Sequence, residues 1–307
     1  MKTDDYIEII NNKRIEIYNS KEYKIGVQIL KIKKMILKMQ FAKLIYLIVR
    51  HKKIKKLSIS NPKYGMIKKN NDDISSKKIV IYTCITGNYD SIIEPYFKAD
   101  NVDYILFTDK NMNNINETEW IIKKIDSYKI LEGMTMVEKN RFIKMNPYFL
   151  FQDNYDYAIY IDGNIGVVSD IRKLINSVDD KYGISMHKHR NRDDIYAEYK
   201  VCKLLKKGNI NQMKKQINCY KDNGFPKKYG MLEANVIVCN LKNNFGKKIM
   251  NEWWEEFKLR NSGRDQISLI FILWKNKIKV NEISNLGYDV YNNPIFWIYE
   301  HKNGGSK

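Results

Sequence analysis

The sequence predicts an α/β sandwich built on a mostly parallel central sheet and preceded by a basic amphipathic helix. Short, near-continuous apolar runs recur along the chain, the pattern of strands covered on both faces. Stretches of helical periodicity separate those runs, which argues for alternating strands and helices. The first 57 residues follow neither rule and set isoleucines against lysines instead.

Taken in order, residues 20–57 read as a helix. Ile25, Ile29, Ile32, Ile36 and Met39 return at three- and four-residue steps, and Leu44, Leu47 and Ile48 continue the stripe. Lys31, Lys34, Lys38, Lys52, Lys53, Lys55 and Lys56 supply cations, so that 12 basic residues stand against one acidic over this stretch. Such a helix fits the interface of an anionic membrane; a helix packed on the domain with solvated lysines is the alternative. Residues 58–77 collect Ser, Asn, Asp, Pro and Gly without periodicity and read as a linker. The domain is expected over 78–307. Its strands are expected in the runs KKIVIYTCITGNYD (77–90), DYILFTD (103–109), YAIYIDGN (157–164), YGISM (182–186) and ANVIVCN (234–240). Helices are expected at about 136–145, 169–178, 194–222, 245–261 and 264–275.

Composition narrows the class. A chain of 307 residues has room for one large domain plus an appendage. Residues 1–78 hold 20 Lys/Arg against 7 Asp/Glu, so +13 of the net +19 lies outside the domain. The +6 left on the domain argues against nucleic-acid binding. Cys84, Cys202, Cys219 and Cys239 are scattered, without metal or redox spacing, as expected of buried thiols in a reducing compartment. The start MKTDDYIEII lacks the form of a secretory signal. The most apolar stretch, 35–49, is interrupted by Lys38, Gln40 and Lys43, so no spanning helix is expected. A cytoplasmic, peripheral-membrane protein follows, and the abundance of Lys, Ile and Asn suggests an AT-rich bacterial genome.

Chemistry is expected where the strands end, because open α/β sheets bind ligands beyond the carboxyl ends of their strands. The first strand delivers Thr83, Thr86, Asn88, Tyr89 and Asp90, the second Thr108 and Asp109, the third Asp162-Gly163-Asn164. A carboxylate beside glycine can hold a divalent cation on phosphates, although Asp-Gly is also an ordinary turn. Neither a Walker loop nor G-x-G-x-x-G occurs. A bound diphosphate would therefore need a metal and basic side chains, which Arg141 and Lys144, three apart on one helix, can supply. HKHRNRDDIYAEY (187–199) concentrates His187, His189, Arg190, Arg192, Tyr196 and Glu198 at one strand-to-helix junction and reads as a polar binding site. In WWEEFKLRNSGRDQISLIFILW (253–274), Ser262 or Asp265 is expected to cap the second helix, and the tryptophans to lie in the core.

In this order the segments resemble a glycosyltransferase-like family, long catalogued as a domain of unknown function, with plant members linked to cell-wall and mucilage polysaccharide. The likeness runs over residues 78–275: IVIYTCITGNYD, YILFTD, the Arg141–Lys144 helix, YIDGN and H-x-x-R-x-x-I-Y-x-E (His189, Arg192, Ile195, Tyr196, Glu198). It continues through Gln216, Tyr220, Gly224-Phe225-Pro226, Gly230 and Glu233, and closes on WW and S-x-R-D-Q at Ser262 to Gln266. The resemblance implies a GT-A-like, Rossmann-type fold and a nucleotide-sugar donor whose sugar passes to a glycan or glycolipid in surface polysaccharide synthesis. It assigns Asp162 and Asn164 to Mn²⁺ or Mg²⁺, and Arg141 and Lys144 to the diphosphate. Thr83, Thr86, Tyr89 and Asp109 would hold the rest of the donor. His189, Arg192, Glu198, Glu233 and Arg264 would face the sugar and acceptor. Asp265, with Gln266 beside it, is the candidate base or sugar-orienting carboxylate. A catalytically inactive carbohydrate-binding or scaffold protein is the alternative, ahead of a nucleic-acid-binding one.

Overall fold

The computed structural model describes residues 3–37, 41–59, 65–87, 89–111, 117–287 and 289–301. Lys38, Met39, Gln40 and Asn88, named above, lie outside the described residues. The helical stretch expected over 20–57 contains α2 (Lys21–Leu37) and α3 (Phe41–Lys56), and a further helix, α1 (Thr3–Asn19), precedes it. Ser20 separates α1 from α2, its hydroxyl accepting the Tyr23 N–H at 3.1 Å as a helix-starting cap does. No described helix is long and apolar enough to cross a membrane. The first helix, α1, is tied to the domain: Arg14 lies over the Trp297 ring at 3.9 Å and donates to the Phe296 carbonyl at 2.8 Å.

All five expected strands form. The main sheet holds β1 (Ile79–Ile85), β2 (Val102–Thr108), β3 (Ile121–Lys124), β4 (Tyr157–Ile161), β6 (Ile184–Lys188) and β7 (Leu232–Asn240), in the order β3-β2-β1-β4-β7-β6. Pairings of β1 with β2 and β4, and of β2 with β3, are parallel, whereas β7 runs antiparallel to both of its neighbours. Two short strands, β5 (Ile165–Val167) and β8 (Phe296–Ile298), pair apart from it. Alternate residues of β1 feed two cores. Val80, Tyr82 and Cys84 join one cluster with Phe142, Trp253 and Leu269, while Ile79, Ile81 and Ile85 join another with Leu174, Leu286 and Phe296. Burial on both faces is why these strands read as unbroken apolar runs. The result is the α/β sandwich expected, with a mostly parallel central sheet and helices before it.

The remaining helices on the first core are α4 (Met136–Met145), α5 (Pro147–Phe151), α6 (Ile195–Leu205), α7 (Ile210–Asp222), α8 (Asn244–Arg260) and α9 (Asp265–Lys275), followed by the short α10 (Val280–Ile283). Two expectations are corrected. Residues 194–222 are not one helix, because Lys206 turns left-handed (φ 53°) and Gly208 follows at φ 74°. A side chain at Gly208 would meet the Ser262 carbonyl at 2.7 Å, so the break presses on the turn before α9. The stretch near 169–178 is a 3₁₀ segment, Ile171–Ser177. Residues 65–77 are irregular as a linker should be, yet they are docked. Lys69 N–H donates to Asn176 O at 2.7 Å, and buried Asn70 donates to Ile175 O and Val178 O.

Gly246 lets α8 approach the sheet. An added Cβ would fall on the Tyr148 hydroxyl and 3.0 Å from the Tyr182 carbonyl. Gly246→Ala is expected to cost about 1–3 kcal/mol through overpacking, seen as a lowered thermal midpoint; an unchanged midpoint would mean that Tyr148 moves aside freely.

Candidate active site

The topology gathers distant residues on one edge of the sheet. β1, β2, β4 and β6 end there, and antiparallel β7 begins there with Leu232 and Glu233. Above this edge stands α4, started by a reciprocal cap between Thr135 and Glu138. That cap sets the helix so that Arg141 and Lys144 point to the same side. Lys144 Nζ lies 2.8 Å from Asp265 Oδ2 and 3.5 Å from Asp162 Oδ1, and Arg141 Nε is 3.2 Å from the same Asp265 oxygen. The Lys144 and Asp265 side chains are only 3% and 5% exposed, so this is a buried ion cluster rather than a surface pair.

Asp265 is not the cap expected of it. The helix starts at Arg264 without a side-chain cap, and Asp265 is its first residue. Its carboxylate accepts the Gln266 N–H at 3.0 Å, and its carbonyl accepts Trp253 Nε1–H at 2.9 Å. Burial alone would raise its pKa, but Lys144 and Arg141 outweigh burial and hold the carboxyl well below the usual range. A group so acidic takes up a proton poorly.

A second ion cluster adjoins the first. Glu198, buried near the start of α6, pairs with Arg192 and, at 3.0 Å, with Arg264. Burial pushes its carboxyl up, but Arg264 and Arg192 prevail and lower it. Arg264 also donates to Gln266 Oε1 at 2.6 Å, and Gln266 donates to Leu232 O at 3.2 Å, so the α9 start is linked to β7. His189 Nε2 is 3.9 Å from Glu198, its pKa lowered to about 4 by burial and by Arg192. Glu233 differs from these carboxylates. Burial raises it to about 7, assisted by Asp289, and its oxygens accept only weakly, from Arg190 N–H and the Asn235 amide, each at 3.3 Å. His187, counted with this junction, is not part of it. Strand alternation puts its ring in the core beside Asn293 and Phe296, where burial lowers it to about 3.

On the β1–β2 side, Thr83 Oγ1 is buried without a hydrogen-bond partner among the described residues and lines a small cavity with Asp162, Gly163 and Trp120. Thr86 donates to Met136 O at 3.4 Å. Asp109 accepts the Gly87 N–H at 3.0 Å, shaping the turn before the exposed Tyr89. Two participants had no sequence signal. His301 bonds Asp90 at 2.8 Å with its ring beside Tyr89, and the Arg190 guanidinium lies 4.1 Å over the Tyr291 ring. His301 and Tyr291 lie in short irregular segments with no motif around them.

Asp162 is partly exposed at the end of β4, and the Asn164 amide donates to Tyr299 O at 3.0 Å. Among the described residues no three His, Cys, Asp or Glu side chains gather as a metal site. A prebuilt cage therefore does not fit. A Mg²⁺ or Mn²⁺ arriving on substrate phosphates fits, since such ions need only one or two carboxylates and keep several waters.

Many solved structures resemble this chain, three of them with TM-scores of 0.39, 0.36 and 0.33. Mouse xyloside xylosyltransferase 1, apo form, is 9% identical with a TM-score of 0.39, over 67% of this chain and 83% of that one. The WbbM bifunctional glycosyltransferase, also apo, is 13% identical with a TM-score of 0.36, over 67% of this chain and 39% of its own. The mannosyltransferase Ktr4p from S. cerevisiae is 12% identical with a TM-score of 0.33, over 73% of this chain and 74% of that one. No curated protein gives a significant sequence match. The family model described as TOD1/MUCI70, glycosyltransferase-like domain, matches residues 51–301, most of the chain and every element of the site. The chain belongs to the TOD1/MUCI70 glycosyltransferase-like family.

Proposed function

We propose that this protein is a nucleotide-sugar-dependent glycosyltransferase that adds a sugar to a glycan or glycolipid in surface polysaccharide synthesis. It would work in the cytoplasm, on the inner face of the plasma membrane. The observation that carries this reading is the Lys144 ammonium between Asp162 and Asp265, with Arg141 alongside, at the ligand-binding edge of the sheet. A leaving nucleoside diphosphate needs cations fixed in advance. Lys144 and Arg141 supply them, and Asp265 holds both in place. Of the two roles expected for Asp265, orientation fits its acidity and base catalysis does not. Thr83, Thr86, Tyr89 and Asp109 would enclose the nucleoside, and Arg192, Arg264, His189 and Glu198 would line the sugar side with Gln266. Mn²⁺ or Mg²⁺ at Asp162 and Asn164 would supply Lewis-acid stabilisation of the diphosphate.

Glu233 is the better base. The acceptor oxygen bonds to the anomeric carbon, its proton passes to the Glu233 carboxylate, and the sugar–phosphate bond breaks with its electron pair on the diphosphate. The helices α2 and α3, apolar and lysine-rich, suit an anionic membrane surface.

Asp162→Ala is expected to abolish nucleotide release from a nucleotide-sugar panel with Mn²⁺ while the protein still melts cooperatively. Wild-type release by a folded mutant would remove Asp162 from the site. Asp265→Asn should lower both kcat, by about 10²-fold or more, and stability, by about 3–5 kcal/mol, because two cations lose a buried partner. A helix cap would have tolerated that change almost without loss, so an unchanged melting temperature counts against the ion cluster. Because a base must be ionised to accept a proton, the rate should rise with pH through about 7, the region where Glu233 titrates. Glu233→Gln should remove that limb along with about 10²–10⁴-fold of rate; a retained limb assigns the base elsewhere.

A further inference from the structure

We propose that the acceptor is carried on an anionic lipid whose phosphate headgroup is held at the mouth of the site by Arg190 and Tyr291. The inference rests on the transferase reading and names the acceptor class. The helices α2 and α3 follow α1 at Asn19 and lead back to the domain at Ile59, with α3 lying against α6. On departure, the Asn19 side chain bonds Asn292, next to Tyr291. On return, Ile59 N–H donates to Asn191 O at 2.8 Å, next to Arg190. The two loops at which this excursion is rooted therefore carry the two side chains that stack on each other.

Between those roots the surface is chemically uniform. Ile25, Ile29, Leu30, Ile32, Ile45 and Ile48 are exposed, from 41% to 67%, among basic residues whose only acidic companion is Glu22. Each helix is about 25 Å long. An apolar face among cations matches an anionic bilayer interface, and a second copy of the same positive surface would be repelled. Arg190 is exposed, and its charge acts on the nearby Glu233 carboxyl. A guanidinium held over an aromatic ring, as Arg190 is over Tyr291, can offer a fork of donors to a phosphate. Its own backbone N–H bonds Glu233 Oε1, so a headgroup held there sits against the proposed base.

The test uses the full chain and phosphatidylcholine vesicles doped with either phosphatidic acid, a phosphate monoester, or phosphatidylglycerol, a diester. The wild type should bind both, the monoester more tightly. Arg190→Ala should lose about tenfold in affinity for phosphatidic acid vesicles while still binding phosphatidylglycerol vesicles. Tyr291→Ala should act in the same direction. Lys52→Glu with Lys53→Glu should weaken both kinds of binding. Equal binding of phosphatidic acid vesicles by wild type and Arg190→Ala overturns the proposal. So does displacement by inorganic phosphate without any vesicle preference. Vesicle binding needs no turnover. A headgroup preference without donor turnover would sink the transferase reading alone, and turnover without the preference would sink this inference alone.

Discussion

The buried ammonium of Lys144 constrains most of what surrounds it. A charge out of water is tolerated only when paired and hydrogen-bonded, and Lys144 meets that condition through carboxylates from two remote parts of the chain. Asp162 comes from the end of β4 and Asp265 from the start of α9, 121 residues away from Lys144. The sheet, α4 and α9 must therefore be assembled together for any of the three charges to be stable. The same arrangement leaves Asp162 partly open while Asp265 is sealed. One carboxylate can meet a ligand, and the other is committed to structure.

The legible parts of this molecule are those whose burial pattern is local. Strands covered on both faces appear as apolar runs, so β1, β2, β4, β6 and β7 were readable, whereas β3 was not, since Ile121 is exposed and Lys123 and Lys124 end it. The three-residue strands β5 and β8 are too short to show a period. The break between α6 and α7 depends on a left-handed Lys206, a conformation lysine gives no hint of. The site divides the same way. Arg141 and Lys144 were visible because three residues is helical spacing, and Asp162 because it follows a strand. Asp265 was visible as a polar residue at a helix start but not as an ion-cluster member, since its partners lie on another helix. His187 misled by adjacency, for its ring lies in the core beside Phe296 while His189 lies beside Glu198.

Charge told less than position. The excess of lysine before residue 79 hinted at an anionic partner, but it did not reveal that α1 is docked and α3 touches α6 while both α2 and α3 keep isoleucines exposed. Nor did it show that Asn70, in a stretch with the composition of a loose connection, is buried against carbonyls at the end of the 3₁₀ segment.

The clasp between Arg14 and the Phe296–Trp297 backbone and ring spans 282 positions. Chains emerge from the ribosome in order and domains settle as units, so α1 is synthesised long before the strand it grips exists. Tyr299, which accepts from Asn164, and His301, which meets Asp90, arrive later still. During translation the early half of the sheet can form while the rim of the proposed donor site stays unfinished. Closing so long a loop delays its reward, so the rim of the site is completed last.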